Sequence, residues 1–201
     1  MSGLEMIAVA LSVIAVTLTL RRHILCWGFN FVAAGLYGYL FYRYQLYAET
    51  LLQGCFMAMA IYGFIRWQHA DSSAPDIQNI KPQQALLQGG LTTGLGLGLG
   101  LLLQHYSDAA VPILDAQLAA FSLLATYWAS RKYVSTWLLW IIINILYVGL
   151  FCYKALWLTA SLYAAFIGLA VMGYIQWQRL LNQQKMRSAA HVESSHVQQE
   201  G

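Results

Sequence analysis

Charge is what this sequence lacks most. Only 9% of its 201 residues are Asp, Glu, Lys or Arg, against 59% that are hydrophobic. A soluble domain carries about 25% charged residues, so this chain could not cover a water-facing surface. Its mean hydropathy of +0.54 points the same way. No basic run is long enough to track a phosphate backbone, which excludes nucleic acid as a partner. The three cysteines, Cys26, Cys55 and Cys152, stand singly in apolar segments. An odd number with no CxxC supports neither a disulfide framework nor a zinc site, and no cofactor is implied.

What is present is a series of apolar runs. A helix that spans a bilayer needs about 20 mostly apolar residues, and that length picks out segments 4–20, 25–43, 48–67, 85–103, 112–129, 133–153 and 156–177. The fold class expected is therefore an all-α membrane protein with seven transmembrane helices. The first run differs from a signal peptide, because its basic residues Arg21 and Arg22 follow the apolar stretch instead of preceding it. Residues 68–84 are polar, with two prolines, and read as a loop. The tail 179–201, rich in Gln, Ser and His, reads as disordered.

Lys and Arg in the loops set orientation. By alternation, one side receives Arg21, Arg22, Arg66, Lys81, Arg131, Lys132, Arg179, Lys185 and Arg187, and the other only Arg43 and Lys154. Nine against two puts the N-terminus in the periplasm, the C-terminus in the cytoplasm, and the chain in a bacterial inner membrane.

Displacing the sequence on itself by 110 residues aligns 21–68 with 131–178 without a gap, and 14 of the 48 columns are identical. The aliphatic matches mean little in a leucine-rich chain. The scarcer ones fall in register: Trp27/Trp137, Tyr37/Tyr147, Gly63/Gly173, Trp67/Trp177 and Gln68/Gln178. Both copies begin beside cytoplasmic basic residues, so they run the same way, and an odd span must separate them. The plan expected is 3+1+3: a first repeat at 1–67, the loop 68–84, a linker helix 85–103, a second repeat 104–178, and the tail. Parallel repeats are one known route to a transporter, with substrate bound mid-membrane between the halves.

The second helix of each copy carries a stripe at spacings of 3, 4 and 3. It runs Trp27, Asn30, Ala34, Tyr37 in one and Trp137, Trp140, Asn144, Tyr147 in the other, and such spacing keeps the residues on one face. Asn144 lies mid-span, where no water satisfies an amide; it serves either as interhelical glue or as a ligand for substrate. Indoles beside it suit a flat or cationic ring. Gln53, in the third span, is a second candidate amide. Glu49, near the outer end of that span, is either a plain helix-terminus acid or a recogniser of an amine. Trp67 and Trp177, each ending a third helix, read as interfacial-belt residues. The glycine run of 85–103 either offers Gly90, Gly94 and Gly98 for close helix packing or serves as a yielding linker between the halves.

All eight acids sit in loops, tails or near span ends. Ion-driven carriers usually need an ionisable group inside the membrane, so uniport is expected. The five histidines share no spacing that would build a catalytic cluster, and no ring of charges lines a channel; enzyme and channel are the weaker alternatives.

The runs LYAETLLQ (46–53), IYGFIRW (61–67), RKYVSTWLLWIIIN (131–144), LTASLY (158–163) and GYIQW (173–177) resemble the PnuC family of vitamin transporters, over essentially 4–178. The resemblance implies kinship with the SWEET sugar transporters, facilitated diffusion followed by trapping through phosphorylation, and a homo-oligomer, a trimer. It implies substrate held by Trp, Asn and Gln side chains, here Asn144, Trp140 and Gln53. With Trp137, Tyr147, Tyr37, Asn30 and Glu49 these complete the candidate site. The vitamin is expected to be thiamine, with nicotinamide riboside as the alternative. Thiamine is favoured because the chain is shorter than the enterobacterial riboside carriers and Glu49 could pair with an aminopyrimidine.

Overall fold

Each apolar run becomes one helix, because a backbone within lipid must satisfy its hydrogen bonds internally. The computed structural model describes residues 3–44, 47–69, 77–106, 111–153 and 157–199. They form α1 (Gly3–Leu20), α2 (Leu25–Arg43), α3 (Tyr47–Gln68), α4 (Pro82–Tyr106), α5 (Pro112–Ser130), α6 (Ser135–Tyr153) and α7 (Trp157–Gln199). Three stretches, Pro82–His105, Ser135–Tyr153 and Thr159–Ala189, are long and apolar enough to cross a membrane by length and composition, and Met6–Leu20 is a shorter apolar helix. The others are diluted by polar groups such as Asn30, Gln53 and Gln117, each only partly exposed.

Proline marks two starts. Pro112 opens α5 where its missing N–H costs nothing, and Asp115 sits in that first turn, where the helix dipole favours an acid. The ends of α1 and α5 share one device. His23 N–H donates to Leu18 O at 2.9 Å and Arg22 N–H to Thr19 O at 3.0 Å; Tyr133 N–H donates to Trp128 O at 3.1 Å and Lys132 N–H to Ala129 O at 3.0 Å. These are paired helix-terminating bonds that normally call for glycine, yet Arg22 and Lys132 hold φ of 56°. A left-handed non-glycine residue costs about 1–2 kcal/mol, which the favourable placing of a cation at a helix C-terminus partly offsets.

α2 packs between α1 and α3, and α6 between α5 and α7; α4 lies along α5. Two further contacts join the groups, α3 against α5 and α1 against α7. Many buried positions recur at the spacing of 110: Ala15 and Ala125, Trp27 and Trp137, Leu40 and Leu150, Ala60 and Ala170. From the loop 68–84, of which 70–76 lie outside the described residues, Ile77 is fully buried in the core around Trp177. Beside it, Gln78 exchanges backbone hydrogen bonds with Lys132 and Val134 at 3.1 and 3.0 Å.

Two expectations change. α7 continues as helix to Gln199 where disorder is expected; residues 179–199 contain neither Gly nor Pro to stop it. In α4, a Cβ at Gly90, Gly94 or Gly98 would meet nothing within 4 Å, so these three do not make the close packing expected of them. Gly96 and Gly100 do: a Cβ there would fall 2.8 Å from Gln117 Oε1 and 2.8 Å from Ile113 Cα on α5. Gln117 spans this contact, its Nε2 donating to Thr93 O at 2.9 Å. Gly100→Ala should therefore lower stability by about 1–3 kcal/mol, the usual cost of overpacking, while Gly94→Ala leaves the melting temperature in detergent nearly unchanged. Equal melting temperatures for the two variants would place the α4–α5 contact elsewhere.

Candidate functional site

A cavity of about 230 Å³ lies among α1, α2, α5, α6 and α7. α1 contributes Ser12, Val16 and Thr19, and α2 contributes Trp27 and Asn30. α5 gives Thr126 and Ala129, α6 gives Thr136, Trp137, Trp140 and Asn144, and α7 gives Tyr163, Phe166 and Ala170. The α1 set is spaced i, i+4, i+7, one helix face.

Most hydroxyls in the wall are already engaged. Ser12 Oγ donates to Ala8 O at 2.9 Å, Thr19 Oγ1 to Ala15 O at 2.8 Å, Thr126 Oγ1 to Ser122 O at 2.8 Å and Thr136 Oγ1 to Ala125 O at 2.7 Å. The first three are back-bonds to the preceding turn and the last crosses from α6 to α5; both let a hydroxyl sit in an apolar setting at little cost. The amides differ. No side-chain hydrogen bond ties Asn30 or Asn144 to another described residue, although Asn144 is only 5% exposed. Neither amide is among the buried polar atoms that lack a partner, so both present their polar atoms to the cavity they line and are its unspent polar capacity. Among the described residues, none that lines the cavity is charged, and no group of His, Cys, Asp and Glu could hold a metal.

Glycine sets the tryptophan walls. A Cβ at Gly63 would fall 2.5 Å from the Trp27 ring, and one at Gly173 would fall 2.4 Å from the Trp137 ring, so each indole lies flat against a bare stretch of the third helix in its own group. Trp67 then meets Trp27 edge-on, with centroids 5.4 Å apart at 88°, and Trp177 meets Trp137 at 5.4 Å and 90°. The expected interfacial belt is thus corrected. Trp67 and Trp177 are buried core residues whose N–H groups donate to the backbone, to Ser130 O and to Leu20 O, each at 3.1 Å. The repeat register carried that signal, since interfacial tryptophans have no need to match at a fixed spacing.

Of the eight candidate residues, the structure brings Asn30, Trp137, Trp140 and Asn144 together. Tyr147 stands behind the wall, 4.8 Å from the lining Tyr163 and stacked on Phe151 at 5.8 Å. Tyr37 stacks on Phe41 at 6.0 Å and does not line the cavity. Gln53 turns toward α2, where a Cβ on Gly38 would touch its own Cβ at 3.3 Å, and Glu49 is exposed in the first turn of α3. The cavity is lopsided: α7 lends it Tyr163, Phe166 and Ala170, while the positions 110 earlier, Gln53, Phe56 and Ala60, stay outside. Sequence symmetry could not reveal which third helix reaches it. Ser12 and Thr19 were missed because back-bonded hydroxyls look like ordinary span residues.

Outside the spans, the turn at 131–134 carries the charge. Arg131 donates from Nε and Nη2 to Tyr127 Oη at 3.2 and 3.1 Å, and this bond holds its guanidinium above the ordinary range. Burial, and then the nearby Arg22, pull Lys132 below the usual lysine range.

An uncharged, aromatic, amide-bearing cavity among apolar helices is the equipment of a small-molecule carrier. The chain belongs to the nicotinamide mononucleotide transporter family, whose model matches residues 2–179; it is a multi-pass membrane transporter of vitamin type and not an enzyme. It is 25% identical to the nicotinamide riboside transporter PnuC of Escherichia coli over 95% of this chain and 91% of that one. It is 23% identical to the nicotinamide riboside transporter PnuC of Neisseria mucosa, over 90% of this chain and 73% of that one. The crystal structure of the vitamin B3 transporter PnuC superimposes with a TM-score of 0.72 at 22% identity, covering 90% of this chain and 82% of that chain. At that identity the likeness speaks for the fold.

Proposed function

We propose that this chain carries nicotinamide riboside across a bacterial inner membrane by facilitated diffusion, binding it in the cavity between Trp137, Trp140, Asn144 and Asn30. The observation that carries this is the pair of unengaged amides among indole walls with no charged residue in the lining. A cationic pyridine ring suits aromatic faces, and ribose hydroxyls and a carboxamide suit amides. The thiamine expectation is replaced. Its support came from a difference in length and from Glu49, but the chain spans 91% of the Escherichia coli riboside carrier, and Glu49 does not line the cavity. The cavity is small against the usual range of about 300–1,000 Å³, which favours one compact molecule.

The same lining argues against the phosphorylated vitamin. A phosphate taken from water into an uncharged cavity would lose solvation with no cation to repay it. Phosphorylation in the cytoplasm would then trap what has entered. Absence of a carboxylate from the lining favours uniport. All seven helices cross the membrane in this proposal, in a 3+1+3 plan with the N-terminus periplasmic. The basic-residue bias supports that orientation, and the pairing of α1 with α7 and α5 with α3 supports the two-half plan. The homo-oligomer would use the uncovered outer face of α4, where Leu91 and Leu95 flank Gly94.

Proteoliposome uptake tests this. Labelled nicotinamide riboside should equilibrate without any ion gradient, with competition from the unlabelled riboside and none from thiamine or the mononucleotide. Equilibration no faster than in empty vesicles would refute transport, and equal competition by the mononucleotide would refute the neutral-cavity argument.

A further inference from the structure

The two hydrogen bonds made by Trp67 and Trp177 are reciprocal. Each donor sits on the third helix of one three-helix group, and each acceptor is the last carbonyl of the first helix of the other group: Trp67 Nε1 to Ser130 O and Trp177 Nε1 to Leu20 O, both buried and both 3.1 Å. These are terminal carbonyls that their own helices leave unpaired. The two bonds therefore strap the groups together at the end of the cavity where α1 and α5 finish. Behind each strap stands a cavity-lining indole, Trp27 behind Trp67 and Trp137 behind Trp177, packed edge to face.

Those two inner indoles are in the opposite condition. Trp27 Nε1 and Trp137 Nε1 are buried with no hydrogen-bond partner. Buried N–H groups are nearly always paired in native proteins, and an unpaired one marks a state that a rearrangement can relieve. Each group thus holds one indole N–H bonded across to the other group and one that is buried without a partner.

We propose that the four tryptophans form a two-bond latch that closes this end of the cavity. When the halves part, Trp67 and Trp177 surrender their carbonyls while Trp27 and Trp137 gain entering water. Losses and gains oppose each other, so the closed and open states stay close in free energy, as a carrier that must visit both requires. The proposal rests on the two-half transporter described above, whose orientation makes this the cytoplasmic end.

Cys26 supplies a native reporter: it is fully buried, adjoins Trp27, and belongs to the same apolar cluster as Trp67 and Trp177. In purified full-length protein with Cys55→Ala and Cys152→Ala, the rate of Cys26 labelling by N-ethylmaleimide reports how often this end opens, provided opening and closing outpace labelling. Trp67→Phe and Trp177→Phe keep an aromatic ring but remove the strap, and each should raise that rate about five- to tenfold, the factor of one buried hydrogen bond. Trp27→Phe and Trp137→Phe remove the unsatisfied N–H and should lower it. General loosening from a smaller side chain would raise labelling in all four. Rates within twofold of the parent for the strap variants, or an increase in all four, would overturn the latch. Either strap variant that remains monodisperse decides the matter, and because no substrate is added, a negative result is separate from failure of the uptake assay.

Discussion

Asn144→Leu should reduce affinity for nicotinamide riboside by about 10- to 100-fold while leaving the melting temperature of the empty protein unchanged or raised. A site built to hydrogen-bond a polar substrate loses about 1–3 kcal/mol when one such group is removed, and Leu keeps the branching and heavy-atom count of Asn, its extra bulk entering the cavity that Asn144 lines. The sign of the stability change separates the two roles open to this amide. As interhelical glue it would have a partner, and its loss would destabilise the fold; no side-chain hydrogen bond ties it to another described residue. The amide opens onto the cavity and holds no other helix, so its replacement costs the empty protein little and harms the complex. Titration calorimetry and thermal unfolding in the same detergent check both halves. Unchanged affinity with lowered stability would return Asn144 to a structural role.

Gly173→Ala should be as damaging to binding by a different route. The new Cβ would lie 2.4 Å from the Trp137 ring, closer than atoms tolerate, and that indole also meets Trp177, one turn along the same helix as Gly173, at 5.4 Å. Trp137 must shift toward the cavity it lines. A loss of stability of about 1–3 kcal/mol from overpacking is expected, together with a loss of affinity of tenfold or more, since misplacement of about 1 Å in a binding group costs that much or more. Gly168→Ala, on the same helix with nothing within 4 Å of the added Cβ, is the control and should bind normally. If Gly173→Ala binds as tightly as Gly168→Ala, the Trp137 indole is not a fixed wall of the site.

These effects were only partly legible in the sequence. Span-length hydropathy located α2 at its observed limits, 25–43, and most other ends within a few residues, because the length of an apolar run is a direct physical constraint. The stripe in α6 put Trp137, Trp140 and Asn144 on one face, the face that lines the cavity, because helical spacing is rigid. Gln53 and Glu49 fall outside this cavity; placing them required knowing which third helix approaches it, and two like helices offer no local signal for that. The glycine run held two sets at the same fourfold spacing, Gly90/Gly94/Gly98 and Gly96/Gly100; the choice was made by Gln117 and Ile113 across the contact. Trp67 and Trp177 were misassigned from composition, since a tryptophan near a span end satisfies the belt pattern whether it faces lipid or core.

The most direct measurement is the structure of the complex with nicotinamide riboside. The pyridine ring is expected against Trp137 and Trp140, with Asn144 within hydrogen-bond distance of its polar groups and no charged side chain touching it. Ligand found instead beside Glu49 and Gln53, or outside the space between α1, α2, α5, α6 and α7, would contradict the assignment of this cavity as the transport site.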